Sequence, residues 1–285
     1  MVIVVHGGAG RVAPELEEAV LEGVAAARDR GWRVLAGGGS AVEAAVAAVA
    51  YLEDHPLFNA GTGSALNRQG FVEADAAVMD GATLGFGGVA GVRDVKNPIR
   101  LAREVLDAEP VLLAGEGASL FARERGIPAY DPAALVTERA LERWREARRR
   151  KVRGSGTVGA VALDARGRLA AATSTGGLVD KPVGRVGDTP LVGAGTYAEA
   201  GLGAASATGE GEYLARALVA FRAVAGLAEL GPEAAARRAL ERARTLGGEG
   251  GLILLATDGR FAAVHTSPQM SHAWRSPKGE GAALS

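Results

Sequence analysis

The sequence predicts an α+β fold in which helices are layered on antiparallel sheets, and three observations carry that expectation. Strand-like runs stand towards both ends, from Val2 to Val5 and from Gly251 to His265, with helical stretches between them. Two turn signals, Asp164-Ala165-Arg166-Gly167 and Asp258-Gly259, each join a pair of apolar runs of strand length into a hairpin. No fixed-period repeat and no low-complexity boundary divides the 285 residues, a length that suits one large domain or two smaller ones with ample core.

Composition narrows the function classes. Lysine and arginine number 32 against 33 aspartates and glutamates, so no charge imbalance points to nucleic acid or an anionic membrane. Cysteine is absent, which removes disulfides, thiolate metal sites and a cysteine nucleophile, and fits a reducing compartment. The opening Met1 to His6 lacks a basic region and a signal-length apolar run, and no later apolar stretch approaches membrane-spanning length, so a cytoplasmic protein with no membrane partner is expected. The 42 glycines cluster at loop positions, where positive φ or close backbone approach is needed.

In chain order, the strand Val2 to Val5 runs into His6-Gly7-Gly8-Ala9-Gly10 and a helix from about Pro14 to Arg30. Ser40 and Glu43 form a capping box opening a second helix to about Leu52. An irregular loop, Glu53 to Gly63, follows; its carbonyls need partners, and a bound cation is one way to supply them. Phe71 to Asp80 alternates as a strand, turns at Gly81, and returns as a strand to about Arg93; Glu73 and Asp75 share a face and read as solvated or hydrogen-bonded rather than metal-binding. Helices are expected at Ile99 to Leu106, at Glu116 to Arg125, and after an Asp131-Pro132 cap. The last of these runs into Arg143, Arg145, Arg148, Arg149, Arg150, Lys151 and Arg153, without interleaved aromatics, which reads as a solvated, mobile basic linker. Beyond it lie strands at Val158 to Asp164, Arg168 to Thr173, Leu191 to Gly195 and Gly203 to Ala207. A helix from Tyr213 to Leu227 and another beginning at Gly231-Pro232 precede the final hairpin.

The candidate chemistry centres on Gly154-Ser155-Gly156-Thr157-Val158-Gly159. Its G-x-G-x-x-G spacing fits a dinucleotide loop only between a strand and a helix, and here the flanks are a helix and a strand. What remains is a threonine after a glycine at the head of a buried strand. Ordinary β-branched propensity explains such a residue by itself; cutting the Gly156 to Thr157 bond would make its hydroxyl an N-terminal nucleophile.

Six segments then occur in one order: His6-Gly7-Gly8-Ala9-Gly10, Pro56-Leu57-Phe58-Asn59-Ala60-Gly61, Gly156 to Ala162, Thr173-Ser174-Thr175-Gly176-Gly177, Gly184-Arg185-Val186-Gly187-Asp188 and Thr208-Gly209-Glu210-Gly211-Glu212. Together they resemble the plant-type (type III) asparaginase and isoaspartyl peptidase family. The resemblance implies an N-terminal-nucleophile hydrolase fold, four layers ordered αββα, made as a precursor that cuts itself before Thr157. Residues 1–156 would become one subunit and 157–285 the other, with two processed protomers associating as an (αβ)2 dimer. It also implies a β-aspartyl acyl-enzyme formed from L-asparagine or isoaspartyl dipeptides.

A threonine hydroxyl is a poor nucleophile without an adjacent base, and the freed α-amino group, with an ordinary pKa of about 7.7 to 8.0, would supply one. By resemblance Thr175 orients that hydroxyl, Thr208 Oγ1 and Gly209 N–H form the oxyanion hole, and Asn59 neighbours Thr157. Arg185 and Asp188 match the pair that grips a substrate's α-carboxylate and α-ammonium, which a β-aspartyl compound leaves free and an internal peptide lacks. No cofactor is expected for catalysis; the carbonyls of Leu52, Glu53, His55, Phe58, Ala60 and Thr62 match a sodium loop. Alternatives stand beside this reading: a glycosylasparaginase-like hydrolase of the same superfamily, disfavoured by the signal-free start; a nucleotide-binding module on Gly7 to Gly10 or Gly154 to Gly159; a serine hydrolase on Ser174, where Ala172 replaces the first glycine of the elbow; and a catalytically dead scaffold.

Overall fold

The computed structural model describes residues 1–150 and 156–285. In chain order the elements are β1 (Val2–Ala9), α1 (Glu17–Ala36), α2 (Ala41–Asp54), β2 (Ala74–Asp80), β3 (Gly85–Val92), α3 (Pro98–Leu106), β4 (Leu112–Ala114), α4 (Gly115–Glu124) and α5 (Glu138–Arg150). They continue with β5 (Val158–Leu163), β6 (Leu169–Thr175), β7 (Thr196–Glu199), β8 (Gly203–Gly209), α6 (Gly211–Ala217), α7 (Val219–Ala225), α8 (Leu227–Arg244), β9 (Gly250–Ala256), β10 (Phe261–His265), β11 (Met270–Ser276) and β12 (Gly279–Leu284).

These strands make an eight-stranded sheet, β12-β11-β1-β5-β6-β2-β3-β4, and a four-stranded sheet, β10-β9-β8-β7. All pairings are antiparallel except β3 with β4. Strand alternation sorts the side chains into layers. On β1, Ile3 and Val5 join the core beneath α1 and α2, while Val2 and Val4 join the core between the sheets. On β5, Val158, Ala160 and Ala162 face the helices, and Val161 and Leu163 face the second sheet. The far side of that second sheet packs on α6, α7 and α8. The order is α, β, β, α, as the resemblance implied.

Alternation also places the polar residues. On β6, Ala170 and Ala172 face the helices, so Ser174 does too, and its hydroxyl donates to Glu53 on α2 at 2.6 Å. Thr173 and Thr175 share the inter-sheet face with Ala171, and Ser206 and Thr208 on β8 share it with Ala204. A hydroxyl chain crosses the gap: His6 Nε2 to Ser206 Oγ at 2.9 Å, Ser206 Oγ to Thr173 Oγ1 at 2.8 Å, and Thr196 Oγ1 donating to Thr173 Oγ1 at 2.7 Å.

Several expected boundaries are corrected. The strand placed at Leu191 to Gly195 is a turn, because Gly193 takes φ 80°, and β7 begins at Thr196. Asp131 caps only the 3₁₀ turn Pro132–Leu135, and α5 starts after Thr137, whose hydroxyl accepts from Ala140 N. The helix read from Tyr213 to Leu227 breaks at Leu218, which is left-handed at φ 49°, into α6 and α7. The helix start expected at Gly231-Pro232 is present: Gly231 is non-helical at φ 73°, so the stretch labelled α8 is two helices meeting at a kink there. The β11–β12 hairpin was not expected at all. The basic run is also corrected: Arg143 is part of α5 and half-buried, not a solvated linker, while Lys151 and Arg153 lie outside the described residues.

Candidate active site at the head of strand β5

Thr157 sits buried at the head of β5, with β1 on one side and β6 on the other. Its hydroxyl donates to Thr175 Oγ1 at 3.2 Å. The Thr175 hydroxyl in turn donates to the Gly156 carbonyl at 2.9 Å and accepts from Gly177 N at 2.8 Å. Asn59 Nδ2 donates to the same Gly156 carbonyl at 2.8 Å and to Gly177 O at 2.7 Å, while its Oδ1 accepts from Ala65 N at 2.6 Å. All the polar atoms of the Asn59 amide are therefore engaged, and its orientation is fixed. The carbonyl preceding Thr157 is polarised by two donors, and a hydroxyl next to it is aligned through a second hydroxyl.

The Gly7 to Gly10 stretch lines the other side. A methyl group at Gly8 would lie 3.4 Å from both Thr157 N and Thr157 O. One residue on, Ala9 N donates to Thr208 Oγ1 at 3.2 Å, which ties the end of β8 to the same corner. Among the described residues no hydrogen bond joins Thr208 or Gly209 to the Gly156 carbonyl; Thr208 is tied to this corner through Ala9. His6, next to that stretch, is fully buried, and burial pulls its pKa down to about 3, the Thr157 backbone pulling the other way. It is a neutral imidazole at neutral pH.

Arg185 and Asp188 form a second cluster around Gly211, where a Cβ would lie 2.8 Å from both Arg185 Nη2 and Asp188 Oδ1, so only glycine fits. Asp188 is buried, its Oδ2 has no hydrogen-bond partner among the described residues, and burial raises its pKa to about 7, with Arg185 opposing. The Arg185 fork is bidentate on Glu212, Nε to Oε1 at 2.9 Å and Nη2 to Oε2 at 2.8 Å. Beneath it, buried Lys181 donates to Glu73 O at 2.6 Å, and Asp75 lies near both cations. Glu73 accepts from Asn67, Arg93 and Gly184 N, so both strand carboxylates are hydrogen-bonded as expected.

The Glu53 to Gly63 loop folds onto its own carbonyls. A Cβ on Gly63, at φ 92°, would lie 2.5 Å from Pro56 O and 2.9 Å from Phe58 O. Glu53 O accepts from Thr62 N, Leu52 O from His55 N and His55 O from Phe58 N, each with one lone pair left over. The donor set is hard neutral oxygen, which fits an alkali cation. The Glu53 carboxyl is fully buried, with burial raising its pKa to about 8. Larger cavities of ≈ 550 and ≈ 830 Å³ lie at α7–α8 and at the β11–β12 turn, away from all these residues.

A protein family described as asparaginase matches residues 1–284. The chain belongs to this asparaginase family. It is 45% identical over 282 residues to the isoaspartyl peptidase/L-asparaginase of Xenopus laevis, covering 95% of this chain and 91% of the relative. It is 46% identical over 282 residues to the mouse protein of the same name, 95% of this chain and 86% of the relative. The isoaspartyl peptidase of Escherichia coli K12 is 42% identical over 296 residues, 96% of this chain and 92% of that one.

Within this family frame, Asn59, Gly156, Thr157 and Thr175 are in hydrogen-bond contact, Thr208 and Gly209 adjoin them, and Arg185 with Asp188 forms a separate charged cluster. Ser174 belongs to the opposite face of the sheet, which removes the serine-hydrolase alternative. The Gly154 and Ser155 part of the nucleotide-loop alternative lies outside the described residues. Two features went unread in the sequence: the Glu212 fork on Arg185, and the His6–Ser206–Thr173–Thr196 chain. The only signal for the first was the glutamate ending Thr208-Gly209-Glu210-Gly211-Glu212.

Proposed function

We propose that the chain is an autoprocessing amidohydrolase that cleaves the side-chain amide of L-asparagine and the β-aspartyl bond of isoaspartyl dipeptides. The observation that carries this reading is the Gly156 carbonyl held by Asn59 Nδ2 and Thr175 Oγ1 beside the Thr157 hydroxyl. Attack of Thr157 Oγ1 on that carbonyl carbon forms a C–O bond; the hydroxyl proton passes to the Thr157 nitrogen, and the C–N bond to Thr157 then breaks, leaving an ester and a free amine. Water hydrolyses the ester to a Gly156 carboxylate and the Thr157 hydroxyl. Asn59 and Thr175 stabilise the oxyanion of the first step.

The released α-amine accepts the Thr157 hydroxyl proton in turnover, and Thr175 keeps the hydroxyl aligned. Attack on a β-aspartyl carbonyl gives a covalent acyl-enzyme; Thr208 Oγ1 and Gly209 N–H face the oxyanion. Arg185 and Asp188 select the α-carboxylate and α-ammonium. Glu212, which occupies the Arg185 fork, yields it to the substrate's carboxylate. Sodium, when bound in the Glu53 to Gly63 loop, supplies a fixed positive centre for its carbonyls; Asn59 belongs to that loop and is thereby positioned. The relatives named above carry the names isoaspartyl peptidase and L-asparaginase, which favours this reading over a glycosylasparaginase-like one.

The test is a substrate panel on the processed protein. L-Asparagine and a β-aspartyl dipeptide should be hydrolysed, while N-acetyl-L-asparagine and the isomeric α-aspartyl dipeptide should be turned over at least ~100-fold more slowly, since each leaves a buried charge unmatched. Equal rates across the panel would refute the assignment of Arg185 and Asp188.

A further inference from the structure

A small cavity of ≈ 130 Å³ opens beside the Gly156 to Thr157 bond, against Asn59 and the Gly7 to Gly10 stretch. Among the described residues three arginines line it, Arg11, Arg139 and Arg143, and no aspartate or glutamate does. Arg139 reaches in from α5 and donates one N–H to Leu57 O at 2.7 Å. Arg143, one turn further along α5, has no hydrogen-bond or ion-pair partner among the described residues. The two guanidinium groups are close enough to repel: burial and Arg139 both lower the Arg143 pKa, and burial alone lowers that of Arg139. Cations crowded into a partly desolvated cavity without an acid are stabilised by an anion, and a planar fork favours a carboxylate.

None of the cavity's lining residues belongs to the Arg185–Asp188 cluster. The cavity is therefore separate from the groups assigned to the aspartyl half of a substrate. We propose that Arg143 and Arg139, with Arg11 at the exposed rim, form a binding site for the α-carboxylate of the leaving residue of an isoaspartyl dipeptide. The proposal rests on the β-aspartyl reading above and deepens it. L-Asparagine releases ammonia and cannot use the site; a β-aspartyl dipeptide places a carboxylate a few bonds beyond its scissile nitrogen. Residues of the helix preceding the cleavage point thus take part in turnover, and a small leaving residue suits the volume.

The experiment compares kcat/KM for β-aspartyl-alanine with that for its C-terminal amide on the processed enzyme, with L-asparagine as a control for the wider reading. The wild type should favour the acid by about tenfold or more, as loss of a charge-assisted pair demands. That ratio should collapse towards one in Arg143→Gln and in Arg139→Gln, with Arg143→Lys retaining part of it. A wild-type ratio near one overturns the proposal while leaving the β-aspartyl reading intact if L-asparagine and the dipeptide are both hydrolysed. Hydrolysis of neither overturns both. A wild-type ratio near one overturns the site even where a variant fails to process, and a ratio unchanged in processed Arg143→Gln or Arg139→Gln assigns the preference elsewhere and overturns the site.

Discussion

At the residue scale, the charged cluster is poised rather than neutralised. Asp188 is buried with one oxygen unpartnered and a pKa raised to about 7, so near neutrality it is only partly ionised. An α-ammonium pairs with the ionised form alone. Raising the pH through that value therefore strengthens binding, in a window near neutrality where a carboxylate of ordinary or depressed pKa is already fully ionised and shows no change. The inhibition constant of L-aspartate should fall between pH 6 and pH 8, and Asp188→Asn should weaken inhibition by about 10- to 100-fold and flatten the pH dependence. An unchanged pH profile in that variant would show that another group governs recognition. Glu212 shows why such a cluster is only half legible in a sequence. In the first turn of α6 a glutamate is explained by the helix dipole, and nothing local reveals that its carboxylate meets the Arg185 fork.

At the scale of elements, the loop between α2 and β2 has the largest task for the least regular structure. It turns the chain from a helix to a position where Asn59 reaches the Gly156 carbonyl. Glu53, at its start, joins three elements: its Oε1 accepts from Ser174 on β6 and from Ile99 N at the head of α3. A cation bound to the folded loop and not to the unfolded chain stabilises by mass action. The melting temperature should accordingly be higher in sodium chloride than in choline chloride at equal ionic strength, and the difference should vanish in Gly63→Ala, whose added methyl meets the Pro56 and Phe58 carbonyls. Identical melting curves in the two salts would remove sodium from the account. The loop's irregularity was readable from Pro56, Gly61 and Gly63, but not its geometry, since backbone carbonyls leave no side-chain pattern. Likewise the apolar run Leu191 to Gly195 imitates a strand, but with Gly193 at φ 80° it is a turn, and the strand begins only at Thr196. The β11 strand was hidden because Ser271 and His272 interrupt its alternation, although both are buried.

At the scale of the whole molecule, the site exists because two distant stretches become neighbours in one sheet. β1 and β5 pair His6 with Gly159, and β6 brings Ser174 opposite Val158, so Thr157 emerges between the Gly7 to Gly10 stretch and Thr175. The period-two patterns of those strands were visible in the sequence; their order in the sheet was not, since alternation fixes faces and leaves partners open. The order came only from six short segments matched to a family. Arg143 marks the limit most clearly, since a member of a basic run reads as solvated until the fold places it against the cavity at Gly156.

The central claim is that this architecture cuts its own chain at Gly156 and thereby makes its base. An intact-mass time course of the purified protein beside Thr157→Ala tests it directly. The wild type should resolve into two fragments, one ending at Gly156 and one beginning at Thr157, while the variant stays whole and inactive. A wild type that remains a single chain yet hydrolyses L-asparagine, or a Thr157→Ala variant that still splits at this bond, would contradict the account.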